Sequence, residues 1–282
     1  RGVDVRARKG YWAYTVEDVA RANAEAARPE PASPVKTALA ELAAPARDRA
    51  ARFWIGTARG DAGRTRLTFL WEPPPAVPGQ RAEEPAARVA LTAVAPDGRP
   101  VFRGRVPAEG SAAPPAAAAA PGRAVTFDVP PGRLELKMVV EGSRGEVIDS
   151  VGRDLTVPDY GTVEVSFGTP RVYRVRALPE LQALRAAPDA PPTASREFSR
   201  TERLFIRADA YAPGGVAPAI TARLLNRAGQ SMSEVPVQTP AGRSPEIDLP
   251  LAALAAGEYL LELHAKTPTG TAQELIAFRI TR

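Results

Sequence analysis

Apolar and polar positions alternate along most of this chain with a period of two. Leu67, Phe69 and Trp71 share one side of an extended run, and Val89, Leu91 and Ala93 share one side of the next. Leu134, Leu136, Met138 and Val140 do the same, with Glu135 and Lys137 between them. Side chains change faces at every residue only in a β-strand, so each run predicts a strand with one buried face. Turn chemistry separates the runs at Pro96-Asp97-Gly98 and Pro130-Pro131-Gly132. Val147-Ile148, Leu155 to Val157 and Thr162 to Val165 supply the last strands of this set. A second set is predicted at Arg203–Tyr211, Ile220–Leu225, Met232–Val237, Tyr259–His264 and Leu275–Ile280. Segments 73–86 and 107–122 read as low-complexity loops.

The two sets repeat one plan. Val94 to Val101 reads as a hairpin around Pro96-Asp97-Gly98, and Leu225 to Met232 occupies the same slot around Arg227-Ala228-Gly229. Val129-Pro130-Pro131-Gly132 before one strand matches Leu254-Ala255-Ala256-Gly257 before another. The pattern predicts an all-β fold: two tandem immunoglobulin-like β-sandwiches, at 52–168 and 169–282, of about seven strands each. Tyr259, at the mouth of its strand, sits where such sandwiches place the tyrosine that pins a corner. Between the sets, Leu178, Leu181 and Leu184 recur at helical spacing. They predict a short helix with a buried apolar face, packed so as to couple the two units.

Residues 1–51 read differently. Val3 to Trp12 alternates like one strand, and Thr15-Val16-Glu17-Asp18 opens a helix that Pro29 and Pro31 end. Ser33-Pro34 opens a second, with Leu39 and Leu42 as a narrow apolar stripe before Pro45. One strand and two helices enclose no core, so this region is expected to be the tail of a domain whose body lies upstream, plus a helical linker. A strand without partners leaves its backbone groups open, and the large rings of this one favour docking of Tyr11 or Trp12 on a neighbouring surface.

Val5-Arg6-Ala7-Arg8-Lys9-Gly10-Tyr11-Trp12 resembles the segment that closes the von Willebrand factor A-related domain of Acidobacteria-type secreted proteins. Phe198 to Leu204 and Leu251 to Leu261 are similar to the β-rich C-terminal region of the same proteins. The resemblance implies an exported, non-enzymatic architecture in which an A-type domain precedes immunoglobulin-like modules. The metal-adhesion motif of that domain, Asp-x-Ser-x-Ser, occurs nowhere in this chain. Metal-dependent adhesion is therefore expected to reside upstream of Arg1.

Composition narrows the chemistry. The chain has 282 residues, 30 Pro, 22 Gly, one His and no Cys. Disulfides, thiol nucleophiles, iron–sulfur clusters and two-histidine metal sites are thereby excluded. The formal charge is +5. Residues 1–60 hold 11 basic against 7 acidic side chains, and the remainder 26 against 25. Nucleic-acid binding needs a clustered basic face, which so balanced a body does not offer. No apolar run approaches the ~18 residues of a membrane span.

Catalytic signatures are missing too. Gly-x-Ser-x-Gly, Gly-x-Gly and Gly-Lys do not occur. His264 reads as an outward-facing strand residue rather than a triad base. Asp149, Asp154 and Asp159 are evenly spaced and invite comparison with a glycosidase or calcium site, but Asp at strand ends ordinarily bonds turn amides. No catalytic residue, cofactor or metal is expected. Trp71 is assigned to the core. Phe53 and Trp54 point to opposite faces of one strand, so one ring must leave the core and cover a domain interface or a ligand. Tyr11, Trp12, Phe53 and Trp54 are thus the candidates for partner contact. The expected role is protein–protein interaction or spacing in an exported bacterial protein, with a carbohydrate-binding accessory module as the alternative. An exposed row of aromatics would favour the alternative.

Overall fold

The computed structural model describes residues 33–43, 50–74, 85–108, 123–162 and 164–281. The strand expected at 3–12, the helix at 15–28, Tyr11 and Trp12 lie outside them.

Seven strands build the first sandwich: β1 (Arg52–Arg59), β2 (Thr65–Glu72), β3 (Arg88–Val94), β4 (Pro100–Val106), β5 (Ala124–Val129), β6 (Gly132–Glu141) and β7 (Val147–Val157). They form two antiparallel sheets, β1-β2-β5 and β4-β3-β6-β7. The chain must cross between sheets to reach this order, which makes a Greek-key sandwich. Every residue of the alternating runs faces inward: Leu67, Phe69, Trp71, Val89, Leu91, Leu136 and Met138 are fully buried. Trp71 satisfies its indole N–H by donating to Val106 O at 2.8 Å. Phe102 on β4 stacks on Phe127 of β5 with centroids 4.2 Å apart, closing the side where the two sheet edges meet.

The second half holds β8 (Ser166–Phe167), β9 (Arg171–Val175), β10 (Glu197–Ser199), β11 (Arg203–Arg207), β12 (Ala210–Tyr211) and β13 (Ala219–Asn226). It continues with β14 (Ser231–Val235), β15 (Val237–Gln238), β16 (Glu246–Pro250), β17 (Gly257–Thr267) and β18 (Gly270–Thr281). Its sheets are β15-β16-β11-β9 and β10-β18-β17-β13-β14, with β8 and β12 paired separately. β10 joins β18 in parallel, and the other ladders are antiparallel. The connectivity β9-β11-β16 repeats β1-β2-β5, and β14-β13-β17-β18 repeats β4-β3-β6-β7. The chain is therefore an all-β protein built from two tandem immunoglobulin-like sandwiches.

The repeated hairpins are the same turn. Gly98 N donates to Ala95 O and Ala95 N to Arg99 O, exactly as Gly229 N donates to Asn226 O and Asn226 N to Gln230 O. Gly98 and Gly229 have φ of +82° and +79°, a conformation that favours glycine, and each turn is followed by a register shift in its ladder. Tyr259 donates its hydroxyl to Ala255 O at 3.1 Å and pins the corner before β17. Leu134 holds the matching place in the first sandwich.

Several local expectations are corrected. Thr162 and Glu164 are in bends and Val165 in irregular chain rather than a strand, and a short strand follows only at Ser166. Val147–Val157 is one strand because its whole length has β6 to pair with. The run 203–211 breaks into β11 and β12, which join different sheets. Strands β9, β10 and β16 were not expected.

Two helices decorate the second sandwich: α1 (Pro34–Ala43) and α2 (Leu178–Ala186). α1 lies on the outer face of β17 and β18, where Val35, Ala38, Leu39 and Leu42 meet Leu225, Leu260, Leu275 and Ala277. Residues 34–43 are thus a packed element of the second sandwich. α2 buries Leu181 against Tyr173, Val175 and Phe205, while Leu178 at its first turn is 64% exposed. Only part of the expected leucine face is covered, and it rests on the second sandwich alone. Arg207, 2% exposed, donates to Leu184 O at 2.5 Å and to Ala187 O and Pro188 O at 3.0 and 3.1 Å. These bonds tie the end of α2 and the residues after it to β11. Glu246, also buried, stands 3.5 Å from the same guanidinium.

Candidate functional site

β1 is an edge strand, so half of its backbone groups have no ladder partner in its own sheet. The second half supplies partners. Thr57 N donates to Thr169 Oγ1 at 2.9 Å, and Thr169 N donates back to Thr57 O at 2.8 Å. Two residues on, Arg59 N donates to the Tyr211 hydroxyl at 3.1 Å. Thr57 Oγ1 and the Tyr160 hydroxyl are 2.7 Å apart, and the Tyr160 and Tyr211 rings lie 4.8 Å apart between them. Arg59 arches over Tyr211 at 4.6 Å and donates Nη2 to Tyr160 O at 2.9 Å. Burial pushes the Tyr160 phenol up to about 12, and burial raises Tyr211 as well. Both hydroxyls therefore stay protonated at neutral pH.

The other end of β1 is held by charge. Arg52 and Glu72 are cross-strand partners at the start of the β1–β2 ladder. Arg52 Nη1 donates to Ser195 Oγ and Nη2 to Glu197 Oε2, each at 2.8 Å. Glu72 Oε2 accepts from Thr193 Oγ1 at 3.1 Å and from Ser195 N at 3.3 Å. Glu197 Oε1 accepts from Arg279 Nη1 at 3.1 Å, Arg279 Nη2 donates to Glu258 at 2.8 Å, and Arg227 reaches Glu258 at 3.2 Å. The result is a chain of alternating charges that runs from the first sandwich across one sheet of the second. Burial pushes the Glu197 carboxyl up, but Arg52 and Arg279 outweigh it and hold it below the ordinary range.

Between these anchors the structure places the sequence candidates. Phe53 turns inward and packs on Phe69, with ring centroids 5.9 Å apart. Trp54 turns outward, as alternation requires, and its ring lies over Gly56, where any side chain would collide with it. It is only 7% exposed, and Leu70 across the ladder is 1% exposed. The Trp54 ring is thus enclosed beside Arg52 and Glu72 and presents no free face for a ligand. Sequence reasoning missed Arg52, Thr57, Glu72, Thr169 and Glu197. Their polar character reads locally as surface, and no local pattern pairs residues more than a hundred positions apart.

A cleft of about 330 Å³ opens where the junction ends, lined by Arg59, Arg64, Tyr160, Thr162 and glycines of three turns. Nothing resembling a catalytic set lines it. His264 is paired with Glu262 at 3.0 Å on β17, and Gln273 holds the same carboxylate at 2.7 Å. Asp159 accepts from Gly161 N, the turn-stabilising role expected of it, whereas Asp149 and Asp154 lie within β7, which pairs along its length with β6, and Asp149 accepts from its neighbour Ser150 N. Among the described residues no group of three His, Asp or Glu side chains is arranged to hold a metal.

No family model and no curated protein matches this sequence. Solved structures with similarity include the fibronectin(III)-like modules of Clostridium thermocellum CbhA, at 14% identity over 81% of this chain and 92% of that one, with a TM-score of 0.24. The titin immunoglobulin tandem A164-A165 is 12% identical over 82% of this chain and 98% of that one, with a TM-score of 0.25. Bacteroides ovatus SGBP-B, solved with a mixed-linkage heptasaccharide, is 12% identical over 77% of this chain and 40% of that one, with a TM-score of 0.21.

Proposed function

We propose that this chain is a non-enzymatic module of an exported bacterial protein, which follows an A-type domain and serves as a stiff spacer and protein-binding unit. The observation that carries the reading is the junction. Reciprocal Thr57–Thr169 bonds at one end of β1 and the Arg52–Glu197 pair at the other seat one sandwich on the next at two separated points. A tandem fixed at two points holds its angle, and a held angle is what a spacer contributes. The carbohydrate-binding alternative is less well supported, because among the described residues every aromatic ring is buried or half-buried. Among those residues no helix is long and apolar enough to cross a membrane.

Residual dipolar couplings of the weakly aligned chain test the spacer reading. A single alignment tensor for 52–157 and 171–281 is expected. Two independent tensors would show sandwiches that swing freely, and the spacer role would be withdrawn.

A further inference from the structure

The cleft at the junction has a one-sided charge. Arg59 and Arg64 line it, and among the described residues none of its lining groups is a carboxylate. Each guanidinium is anchored in the protein by one nitrogen: Arg59 Nη2 on Tyr160 O at 2.9 Å, and Arg64 Nη2 on Asp128 O at 2.7 Å. A guanidinium carries five N–H donors, so both keep donors to offer a ligand. The Tyr211 ring beneath Arg59 fixes the plane of that fork.

The walls are as telling as the charges. Gly60, Gly63, Gly161, Gly214 and Gly215 line the cleft, so nearly half of its lining residues offer bare peptide backbone. Gly63, Gly214 and Gly215 have φ of +70°, +68° and +72°, which side-chain-bearing residues rarely adopt. Ala62, beside them, adopts φ of +52° although it has a Cβ. Strained or glycine-dependent backbone on both sides of one cleft is the kind of local cost that recurs at binding sites. The two tyrosines there offer no platform for a sugar: Tyr160 is 4% exposed and Tyr211 lies under Arg59.

We propose that this cleft binds an acidic segment of a partner protein. A Glu or Asp carboxylate takes the Arg59 and Arg64 forks, and the extended main chain beside it bonds to the peptide groups of Gly63, Gly214 and Gly215. The proposal rests on reading the chain as a protein-binding module and names the chemistry that it recognises.

Amide NMR on the full chain tests it, with Ac-Gly-Glu-Gly-Glu-Gly-NH2 as probe and the Gln-for-Glu peptide and sodium acetate as controls. The Glu peptide should shift the amides of Gly60, Gly63, Gly161, Gly214 and Gly215 saturably. Arg64→Gln, at an exposed turn position, should weaken that binding about tenfold or more, the loss of one charge-assisted contact. Its amides away from the cleft report that the variant is folded. No shift at these glycines at ~10 mM peptide, ten times the dissociation constant of a weak ~1 mM site, would overturn the proposal. An equal response to the Gln peptide would remove the carboxylate from the argument, and an equal response to acetate would remove the main chain; either overturns it. The alignment measurement on the free chain is independent, so an empty cleft in a rigid tandem refutes the site and leaves the spacer reading standing.

Discussion

Arg52 and Glu197 are 145 residues apart in sequence and meet at 2.8 Å across the junction of the two sandwiches. Glu197 is held ionised by Arg52 and Arg279 in spite of its burial. The folded chain thus releases this proton at lower pH than the unfolded chain, where Glu titrates near ~4.3. The stabilisation is complete above that value and is lost as pH falls through the lower folded value. Melting curves of the parent and Glu197→Gln should differ at neutral pH and converge in acid. A difference that stays constant down to ~pH 3 would show that Glu197 contributes through something other than its charge.

Arg207 is expected to be the most sensitive charged position. Its guanidinium donates to one carbonyl in the last turn of α2 and two just after it, and faces buried Glu246 at 3.5 Å. Arg207→Leu leaves Glu246 buried with only Arg185, at 3.5 Å, to balance it and removes three bonds at the end of α2, for a cost of about 3 kcal/mol, the low end for a broken buried pair. Urea unfolding measures it, and a loss below ~1 kcal/mol would place the pair among surface contacts.

The corner bond of Tyr259 should have a smaller and cleaner effect. Tyr259→Phe removes only the hydroxyl that donates to Ala255 O. A loss of about 0.5–1.5 kcal/mol is expected, since the ring keeps its place against Phe278. A melt unchanged by the substitution would argue against the corner bond.

Ala62 has φ of +52° in the turn between β1 and β2, where Arg64 N donates to Asp61 O. A left-handed residue with a Cβ costs ~1–2 kcal/mol, and glycine gives back part of the gain through the unfolded chain. Ala62→Gly should therefore stabilise by about 0.5–1 kcal/mol in the same unfolding assay. A destabilised variant would mean that the methyl group is needed where it stands.

Local pattern decided the architecture of this chain. The alternation of Leu67, Phe69 and Trp71 and of Leu134, Leu136 and Met138 marks inward faces by itself, because a strand sorts side chains with a fixed period. Gly98 and Gly229 mark matching turns for an equally local reason, since their backbone angles favour a residue without a Cβ. Tyr259 is legible in the same way: its partner lies four residues away. The meeting of distant elements is another matter. Glu246 sits in a strand yet is buried and charged, so its run does not alternate as a half-exposed strand should. β10 is three residues long and exists only because β18 offers it an edge. Thr57 and Thr169, like Arg52 and Glu197, are polar residues that any local reading assigns to solvent. Only the folded chain closes the loops of more than a hundred residues that bring them together. Periodicity reports which face of an element is apolar; which polar groups meet, and therefore where a cleft opens between Arg59 and Arg64, is settled by how the two sandwiches seat on each other.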